Sequence, residues 1–279
     1  MTTWLITGCS TGLGRALAHR VLEEGHKAVI TARDTAALTE LTEAYPDSAL
    51  AVPLDVRNAE QIDSAVEAAR QQFGSIDVLV NNAGYGYRAA VEEGEADAIR
   101  DLFDTNYFGA VNMINAVLPT MREQRNGVII NISSIAGQRS AAGSGYYAAS
   151  KAALESTSEA LRQEVAPLGI RVAIVQPGPF RTDFFSRSLQ QSETAMDAYA
   201  ETAGKRRKEN DPTTSNQPGD PERAAAAIMQ LAQLEEPPMR LVLGKAANQM
   251  AEKDLNQQLD DLMDWEHLGL ETDYPVSAE

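Results

Sequence analysis

The sequence has a single cysteine, Cys9, in 279 residues, which excludes a disulfide bond within the chain. It also has no apolar run that approaches the length of about 18 residues expected of a membrane-spanning helix. The first residues, MTTWLITGCS, enter a short apolar run with no basic segment before it, so the pattern of a secretory signal peptide is missing. These absences predict a cytoplasmic protein with no membrane partner.

Basic residues and histidines are also scarce. Lys and Arg number 24 against 40 Asp and Glu, a formal net charge of −16, which repels nucleic-acid phosphates and predicts no nucleic-acid partner. The three histidines, His19, His26 and His267, lack metal-ligand spacing, so we expect no metal site. One basic run, KRRKEN at 205–210, is either a contact for an anionic substrate or a solvated helix face.

Short aliphatic runs alternate with longer segments of helical period along the whole chain. The runs cover residues 3–7, 27–32, 49–54, 77–81, 127–133, 171–176 and 240–244. Because they are continuously apolar, they predict parallel strands covered by helices on both faces. We therefore predict an α/β fold, a single-domain doubly wound parallel sheet of about seven strands over residues 1–270. Ligands bind such sheets beyond the carboxyl ends of the strands.

A glycine-rich stretch, TGCSTGLG, follows the first run and precedes a segment of helical period. Gly8 allows a tight turn, Gly12 lets the backbone approach a pyrophosphate, and Gly14 allows close packing of helix on strand. The spacing alone also fits an ordinary strand-to-helix turn. Cys9 within it is interpreted as a packing residue, because no histidine lies nearby in the sequence to activate it.

Five motifs in order carry a resemblance to a known family. They are TGCSTGLG, NNAG, ISSIAG, YAASK and PGPFRT, within a match of roughly residues 3–245. Together they resemble the short-chain dehydrogenase/reductase family in its short form. The resemblance implies an NAD(P)(H)-dependent oxidoreductase that interconverts a carbonyl and a secondary alcohol, as a carbonyl reductase or alcohol dehydrogenase. It also implies a small-molecule substrate and a homodimer or homotetramer.

The resemblance implies a catalytic tetrad of Asn106, Ser134, a tyrosine and Lys151. Helical geometry separates the two neighbouring tyrosines, since Tyr147 lies about 40° from Lys151 around the axis and Tyr146 about 140°. We therefore predict Tyr147 as the acid/base, with Tyr146 at the edge of the cleft. An isolated YxxxK would more often be a surface pair.

The resemblance implies the roles of these residues, and carbonyl reduction itself needs a proton donor and a group to hold the substrate oxygen. Ser134 is expected to bind that oxygen, Lys151 to hold the nicotinamide ribose, and Asn106 to position a water that passes protons to Lys151. The Lys151 ammonium is also expected to lower the pKa of Tyr147, by an interaction of roughly 4 kcal/mol. For Asn106 an ordinary polar residue inside a helix is the alternative.

The resemblance assigns the cofactor to the loops that follow the strands. The expected contacts are Gly8, Ser10, Thr11, Gly12, Leu13, Gly14, Arg33, Asp55, Val56, Asn82, Ala83, Gly84, Tyr147, Lys151, Pro177, Gly178, Phe180 and Thr182. Arg33, after Ala32 at the end of the second run, predicts a preference for NADP(H), with NAD(H) also accepted. The alternative is that Arg33 points to solvent and pairs with Asp34.

The substrate side is less specific in the sequence. Ser134, Tyr147, Tyr85, Phe184 and Phe185 are the expected substrate contacts, in a pocket whose aromatic walls also include Tyr87; ordinary core packing is the alternative for the aromatic residues other than Tyr147. Residues 183–220 are expected to form a mobile substrate lid, and 271–279 a flexible tail.

Apolar residues at 255, 259 and 262 predict a C-terminal amphipathic helix, packed on the body or on a partner subunit. Two other functions stay open. One is a non-catalytic dinucleotide-binding regulator. The other is a sugar-nucleotide epimerase or dehydratase, which would favour a longer glycine spacing and a larger C-terminal domain.

Overall fold

The structure is a computed structural model that describes residues 1–184, 188–208 and 217–274. The strands are β1 (Thr3–Ile6), β2 (Lys27–Ala32), β3 (Ala49–Pro53), β4 (Val78–Asn81), β5 (Gly86–Arg88), β6 (Gly127–Ile132), β7 (Ile170–Pro177), β8 (Leu189–Gln191) and β9 (Arg240–Leu243). The helices are α1 (Gly12–Glu23), α2 (Thr39–Ala44), α3 (Ala59–Phe73), α4 (Ala96–Phe103), α5 (Gly109–Gln124), α6 (Ile135–Gln138), α7 (Gly145–Val165), α8 (Ala203–Lys208), α9 (Pro221–Gln233) and α10 (Lys245–Leu270).

Seven strands form one parallel sheet in the order β3-β2-β1-β4-β6-β7-β9. All seven correspond to the predicted runs, which confirms the single-domain doubly wound sheet. The chain reverses its direction of winding between β1 and β4, and a crevice opens at such a point beyond the carboxyl ends of the strands. A separate parallel pair, β5 with β8, was not predicted; it joins Gly86 to Leu189 and Arg88 to Gln191.

The core lies in two layers, one on each face of the sheet. On one face α1 and α9 bury Leu17, Val21 and Ile228. On the other face α3, α5 and α7 bury residues such as Ile62 and Val117. Helices on both faces leave no side of the central strands for water, and this accounts for their continuously apolar sequences.

Helix α10 continues away from this body. Of its residues only Ala247 and Ala251 are buried, whereas Leu255, Leu259 and Leu262 are 55%, 53% and 67% exposed. The amphipathic helix is therefore present, but its apolar stripe beyond Ala251 does not pack on the body. Within the described part of the chain, no helix has the length and apolar character needed to cross a membrane.

Candidate active site

The loop between β1 and α1 has the shape that its glycines predict. Gly8 and Gly12 have φ angles of +73° and +60°, in the left-handed region that favours glycine. A Cβ on Gly14 would lie 2.4 Å from the Gly8 carbonyl oxygen, so this position admits no side chain. The Thr11 side chain does not cap α1, so the first backbone N–H groups of the helix have no side-chain acceptor there.

The residues after β4 form hydrogen bonds with the start of this loop. The Thr7 hydroxyl accepts hydrogen bonds from the backbone N–H groups of Asn82 and Ala83, both at 2.9 Å. The Asn82 amide donates to the backbone oxygens of Thr7 and Gly8 at 2.8 and 3.0 Å. Asn82 and Ala83, both expected cofactor contacts, are therefore seen to fix the glycine loop.

A dinucleotide fits this cradle. The uncapped helix start supplies N–H donors and the positive end of a helix dipole, which suit a pyrophosphate. Across the loop lies Thr182, where a Cβ on Gly12 would stand 3.5 Å from the Thr182 Cβ. Ser10, Thr11 and Leu13 are partly exposed along the same turn. Burial raises the pKa of the Cys9 thiol to about 12, so this cysteine is an unreactive packing residue.

Further expected cofactor residues lie at the ends of two strands, β7 and β3, which are not adjacent in the sheet. After β7, Gly178 donates its N–H to Leu243 O at 3.0 Å, and Phe180 packs against the α1/α9 core layer. Pro177 ends β7 and pairs in register with Leu243. After β3, Val56 is buried, and the Asp55 carboxylate accepts two hydrogen bonds from Arg57, which holds the pKa of that carboxyl below its usual value.

Arg33 follows β2 and is exposed. Asp34, its expected alternative partner, accepts a hydrogen bond from the N–H of Ala36 at 3.0 Å and forms no ion pair with Arg33 among the described residues. A second arginine, Arg15, donates to Ala37 O at 2.7 Å and to Glu40 at 2.5 Å. Sequence reasoning missed Arg15, although it directly follows the last glycine of the motif.

Helix α7 carries Tyr147 and Lys151 to the end of β6. Tyr147 lies close to Ser134, whose side chain acts to lower the pKa of the tyrosine, and Ser134 Oγ accepts from the N–H of Ala136 at 3.1 Å. Lys151 is 4% exposed and donates from Nζ to Ile132 O at 2.9 Å. Tyr146 points elsewhere, donating to Val91 O at 2.6 Å. Tyr147 is therefore the tyrosine that the structure places beside Ser134.

The electrostatics of this pair differ from the expectation. Burial raises the pKa of Tyr147 above its usual value, and the hydrogen bond with Ser134 and the positive charge of Arg88 only partly oppose this. Burial also lowers the pKa of Lys151 to about 8, against the opposing effect of the negative charge of Glu155. Lys151 thus does not produce a lowered pKa for Tyr147 in the protein alone, because desolvation of both groups dominates.

Asn106 lies in a π-helical turn, Asp104–Phe108, between α4 and α5. Its side chain accepts from the N–H of Tyr85 at 3.0 Å and donates to Tyr85 O and Ser150 Oγ at 2.9 and 3.1 Å. It therefore clamps the loop after β4 onto α7. A Cβ on Gly84 would lie 3.0 Å from Asn106 Oδ1 and 3.3 Å from Lys151 Nζ, so Gly84 leaves room for both side chains.

On the substrate side, the Phe184 ring lies 6.0 Å from the Tyr147 ring, centroid to centroid. Tyr85 is partly buried and packs with Ile99 and Tyr146 against a small apolar cluster. Tyr87 is 2% exposed and its hydroxyl donates to Glu95, so its expected place in the pocket wall is wrong and the core-packing alternative holds. Phe185 lies outside the described residues.

The segment 188–208 is bound to the body through acidic side chains. Arg207 donates from Nη2 to Glu93 at 2.5 Å, and both side chains are shielded, with 13% and 3% exposed. Glu93 also accepts from the N–H of Met196 at 2.8 Å, and Glu95 accepts from the N–H of Glu193 at 3.0 Å. Arg207, in the basic run, is thus neither on a solvated face nor a free anion contact.

Comparison with known proteins agrees with this geometry. The family model described as short chain dehydrogenase matches residues 2–193. A 3-ketodihydrosphingosine reductase of Bacteroides thetaiotaomicron is 36% identical over 262 residues, covering 94% of each chain. A solved short-chain dehydrogenase from Streptomyces avermitilis is 44% identical with a TM-score of 0.91, covering 98% of this chain and 99% of its own.

A third relative is informative about the cofactor. A serine dehydrogenase solved in its closed form with NADP⁺ is 29% identical, with a TM-score of 0.74, and the match covers 87% of this chain and 94% of that one. The family model, the sequence relatives and the solved structures therefore agree on the family of this chain. The chain belongs to the short-chain dehydrogenase family of oxidoreductases.

Proposed function

We propose that the protein is an NADP(H)-preferring oxidoreductase that interconverts a carbonyl group and a secondary alcohol of a small molecule. The observation that carries the proposal is the placement of Tyr147 beside Ser134, with buried Lys151 one turn further along the same helix. The reductase from Bacteroides thetaiotaomicron bears a name that implies a ketone substrate, and this supports the reaction class.

The two hydroxyl groups divide the work on the substrate oxygen. Ser134 accepts the N–H of Ala136, so its own proton is available to the substrate oxygen or to Tyr147. Because burial raises the pKa of Tyr147, its hydroxyl stays protonated at neutral pH and can donate that proton to a developing alkoxide. NADPH, when bound, supplies the hydride, and the positive ring of NADP⁺ favours the tyrosinate in the reverse direction.

Lys151 and Asn106 have supporting roles and do not contact the substrate oxygen as Ser134 and Tyr147 do. Lys151 lies beside Gly84, where we place the nicotinamide ribose, and its ammonium would hold that ribose. The Asn106 side chain is committed to Tyr85 and Ser150, so a proton-carrying water would be held by its backbone rather than by its amide.

The alternatives of a different class are a dinucleotide-binding regulator and a sugar-nucleotide epimerase. A regulator has no need of the Tyr147, Ser134 and Lys151 arrangement. The epimerase favours a longer glycine spacing than that of Gly8, Gly12 and Gly14. A panel of carbonyls and alcohols, followed by NADPH absorbance, distinguishes the proposed enzyme from both alternatives, since only the proposed enzyme gives net redox turnover.

Two tyrosine variants test the assignment within that panel. Tyr147→Phe removes the proton donor and is expected to reduce kcat by about 10³-fold or more while NADPH still binds. Tyr146→Phe is the matched control, because its hydroxyl bonds Val91 O and not Ser134, and its activity should stay within about tenfold. Equal losses in the two variants would contradict the assignment.

A further inference from the structure

Helix α7 is joined to the end of β6 by successive polar contacts. Each turn of α7 contributes one side chain, and each of these side chains makes a polar contact with a residue at the end of β6. The contacts are Tyr147 with Ser134, Lys151 with Ile132 O, Glu155 with Ser133 and Ser158 with Asn131. Two of these helix residues belong to the site described above. Glu155 has no role in it.

Glu155 is 3% exposed, yet its carboxylate has a full set of donors. Oε1 accepts from Ser133 Oγ at 2.5 Å and from Gln176 Nε2 at 2.9 Å. Oε2 accepts from Gln176 Nε2 and from Arg240 Nε, both at 3.0 Å. These donors stand at the ends of β6 and β7 and at the start of β9. One buried carboxylate therefore joins three strands on the catalytic side of the sheet.

Helix α6 also lies close to the Glu155 carboxylate. A Cβ on Gly137 would lie 2.4 Å from Glu155 Oε1 and 2.7 Å from Ser133 Oγ, so a larger residue there would displace one of these two side chains. Ser133 is thus held between α6 and Glu155, and Ser134 is its neighbour. A displacement of the carboxylate would be transmitted directly to the hydroxyl that bonds Tyr147.

The charged groups around Glu155 are few. On α7 they are Lys151, one turn before it, and Glu159, one turn after it, while β9 contributes Arg240. The groups contributed by α6, β6 and β7, at Gly137, Ser133 and Gln176, are neutral. Arg240 divides its guanidinium between Glu155 and Glu159, so it neutralises Glu155 only in part. The remaining negative charge acts on buried Lys151.

We propose that Glu155 is a positioning residue that keeps Lys151 in its charged form and holds Ser133, and through it Ser134, in place for Tyr147. This rests on the proposed function of the site. Glu155 does not touch the reacting atoms. It acts through the lysine and the serine, because its hydrogen bonds use the whole carboxylate and its charge lies one helical turn from Lys151.

The test compares Glu155→Gln with Glu159→Gln, a matched control on the same helix that also contacts Arg240 but is 45% exposed. The pH dependence of kcat is measured for carbonyl reduction, and that of NADPH affinity by the fluorescence of the bound cofactor. We expect Glu155→Gln to move the alkaline limb of both profiles down by about one pH unit or more, because the charge that favours ammonium is gone. Glu159→Gln should move the alkaline limb by less than about 0.3 pH units.

Arg240→Met supplies a change of opposite sign and covers the case in which Glu155→Gln does not fold. Without Arg240 the Glu155 charge is less compensated, so the alkaline limb should move upward. The proposal is overturned if Glu155→Gln loses kcat while its alkaline limb stays at the wild-type pH. It is also overturned if Glu155→Gln and Arg240→Met move the alkaline limb in the same direction. If the wild type turns over no carbonyl or alcohol, the proposed function fails instead, while the binding profiles still decide the role of Glu155.

Discussion

At the scale of single residues, the cost of burying charge governs both stability and chemistry at this site. Lys151 is held with its pKa lowered to about 8 from 10.5, because burial opposes the ammonium more than Glu155 favours it. The unfolded chain therefore keeps a proton on this lysine over a range of pH in which the native protein has released it. Stability must then depend on pH in a calculable direction.

Between pH 8 and 10.5 the unfolded state binds more protons at Lys151, so the contribution of this residue to the free energy of unfolding rises with pH. The full change amounts to about 3 kcal/mol. Urea denaturation of wild type and Lys151→Met across this range measures it, since other groups contribute equally to both. The free energy of unfolding of the wild type should increase relative to that of Lys151→Met as the pH rises. Lys253→Met, an exposed lysine, is the control, and parallel curves for wild type and Lys151→Met would contradict the prediction.

Arg33 is the residue that we expect to select the cofactor. It is exposed at the end of β2 and, among the described residues, makes no ion pair with Asp34. A charge-assisted contact with a 2′-phosphate contributes roughly 1.5–3 kcal/mol, or about tenfold to 150-fold in kcat/KM for NADPH over NADH.

Arg33→Ala should erase most of that preference with NADH kinetics nearly unchanged, and Ala32→Asp should invert it, because a carboxylate repels the phosphate and accepts the ribose hydroxyls. Steady-state kinetics with both cofactors make the comparison. A wild-type enzyme that uses NADH better than NADPH would refute this interpretation of the strand end.

At the scale of elements, the segment 188–208 depends on a few buried polar contacts rather than on an apolar interface. Its central contact is Arg207 with Glu93. Burial raises the pKa of Glu93, but hydrogen bonds from Met196 and Ala90 and the charge of Arg207 outweigh it and lower the pKa overall. The pair is therefore ionised at neutral pH, and removing one partner leaves the other charge buried.

Arg207→Met is expected to loosen this segment and to raise KM for the substrate several-fold, with kcat changed less, because the segment pairs with β5 through β8 and contains none of the proposed catalytic residues. Limited proteolysis of the variant should cut within 188–208 faster than in the wild type. Lys205→Met, whose partner Glu201 is exposed, is the control. Resistance to proteolysis equal to the wild type would show that Arg207 does not secure the segment.

At the scale of the whole molecule, α10 exposes a stripe of apolar side chains. Leu262, Met263 and Leu270 are each about two thirds exposed, with Leu255 and Leu259 beside them. Contiguous apolar surface of this kind marks an interaction site in soluble proteins. It supports the prediction of a homodimer or homotetramer.

Light scattering after gel filtration tests this prediction. The paired change Leu259→Glu and Leu262→Glu should lower the mass of the particle toward that of the 30.1 kDa chain. The pair Asn256→Asp and Gln257→Glu adds the same charge to exposed polar positions of the same helix and should leave the mass unchanged. A monomeric wild type would remove this role for the stripe.

Much of the fold and part of the site follow from local sequence. The seven sheet strands were predicted because strands buried on both faces are continuously apolar, a property visible in each run separately. The loop glycines follow from backbone conformation, as at Gly8 and Gly12. Tyr147 and not Tyr146 lies beside Ser134 because the spacing of four residues to Lys151 sets its face on the helix.

Tertiary structure alone decided the features that depend on distant neighbours. The β5 and β8 pairing involves only three residues of each strand, too few for a periodic pattern. Arg207 became a buried partner of Glu93, and Tyr87 a core residue, through contacts with segments far along the chain. The raised pKa of Tyr147 and the position of Glu155 among three strands likewise depend on burial. For these polar side chains burial is determined by the packing of the whole chain, and no local apolar pattern indicates it.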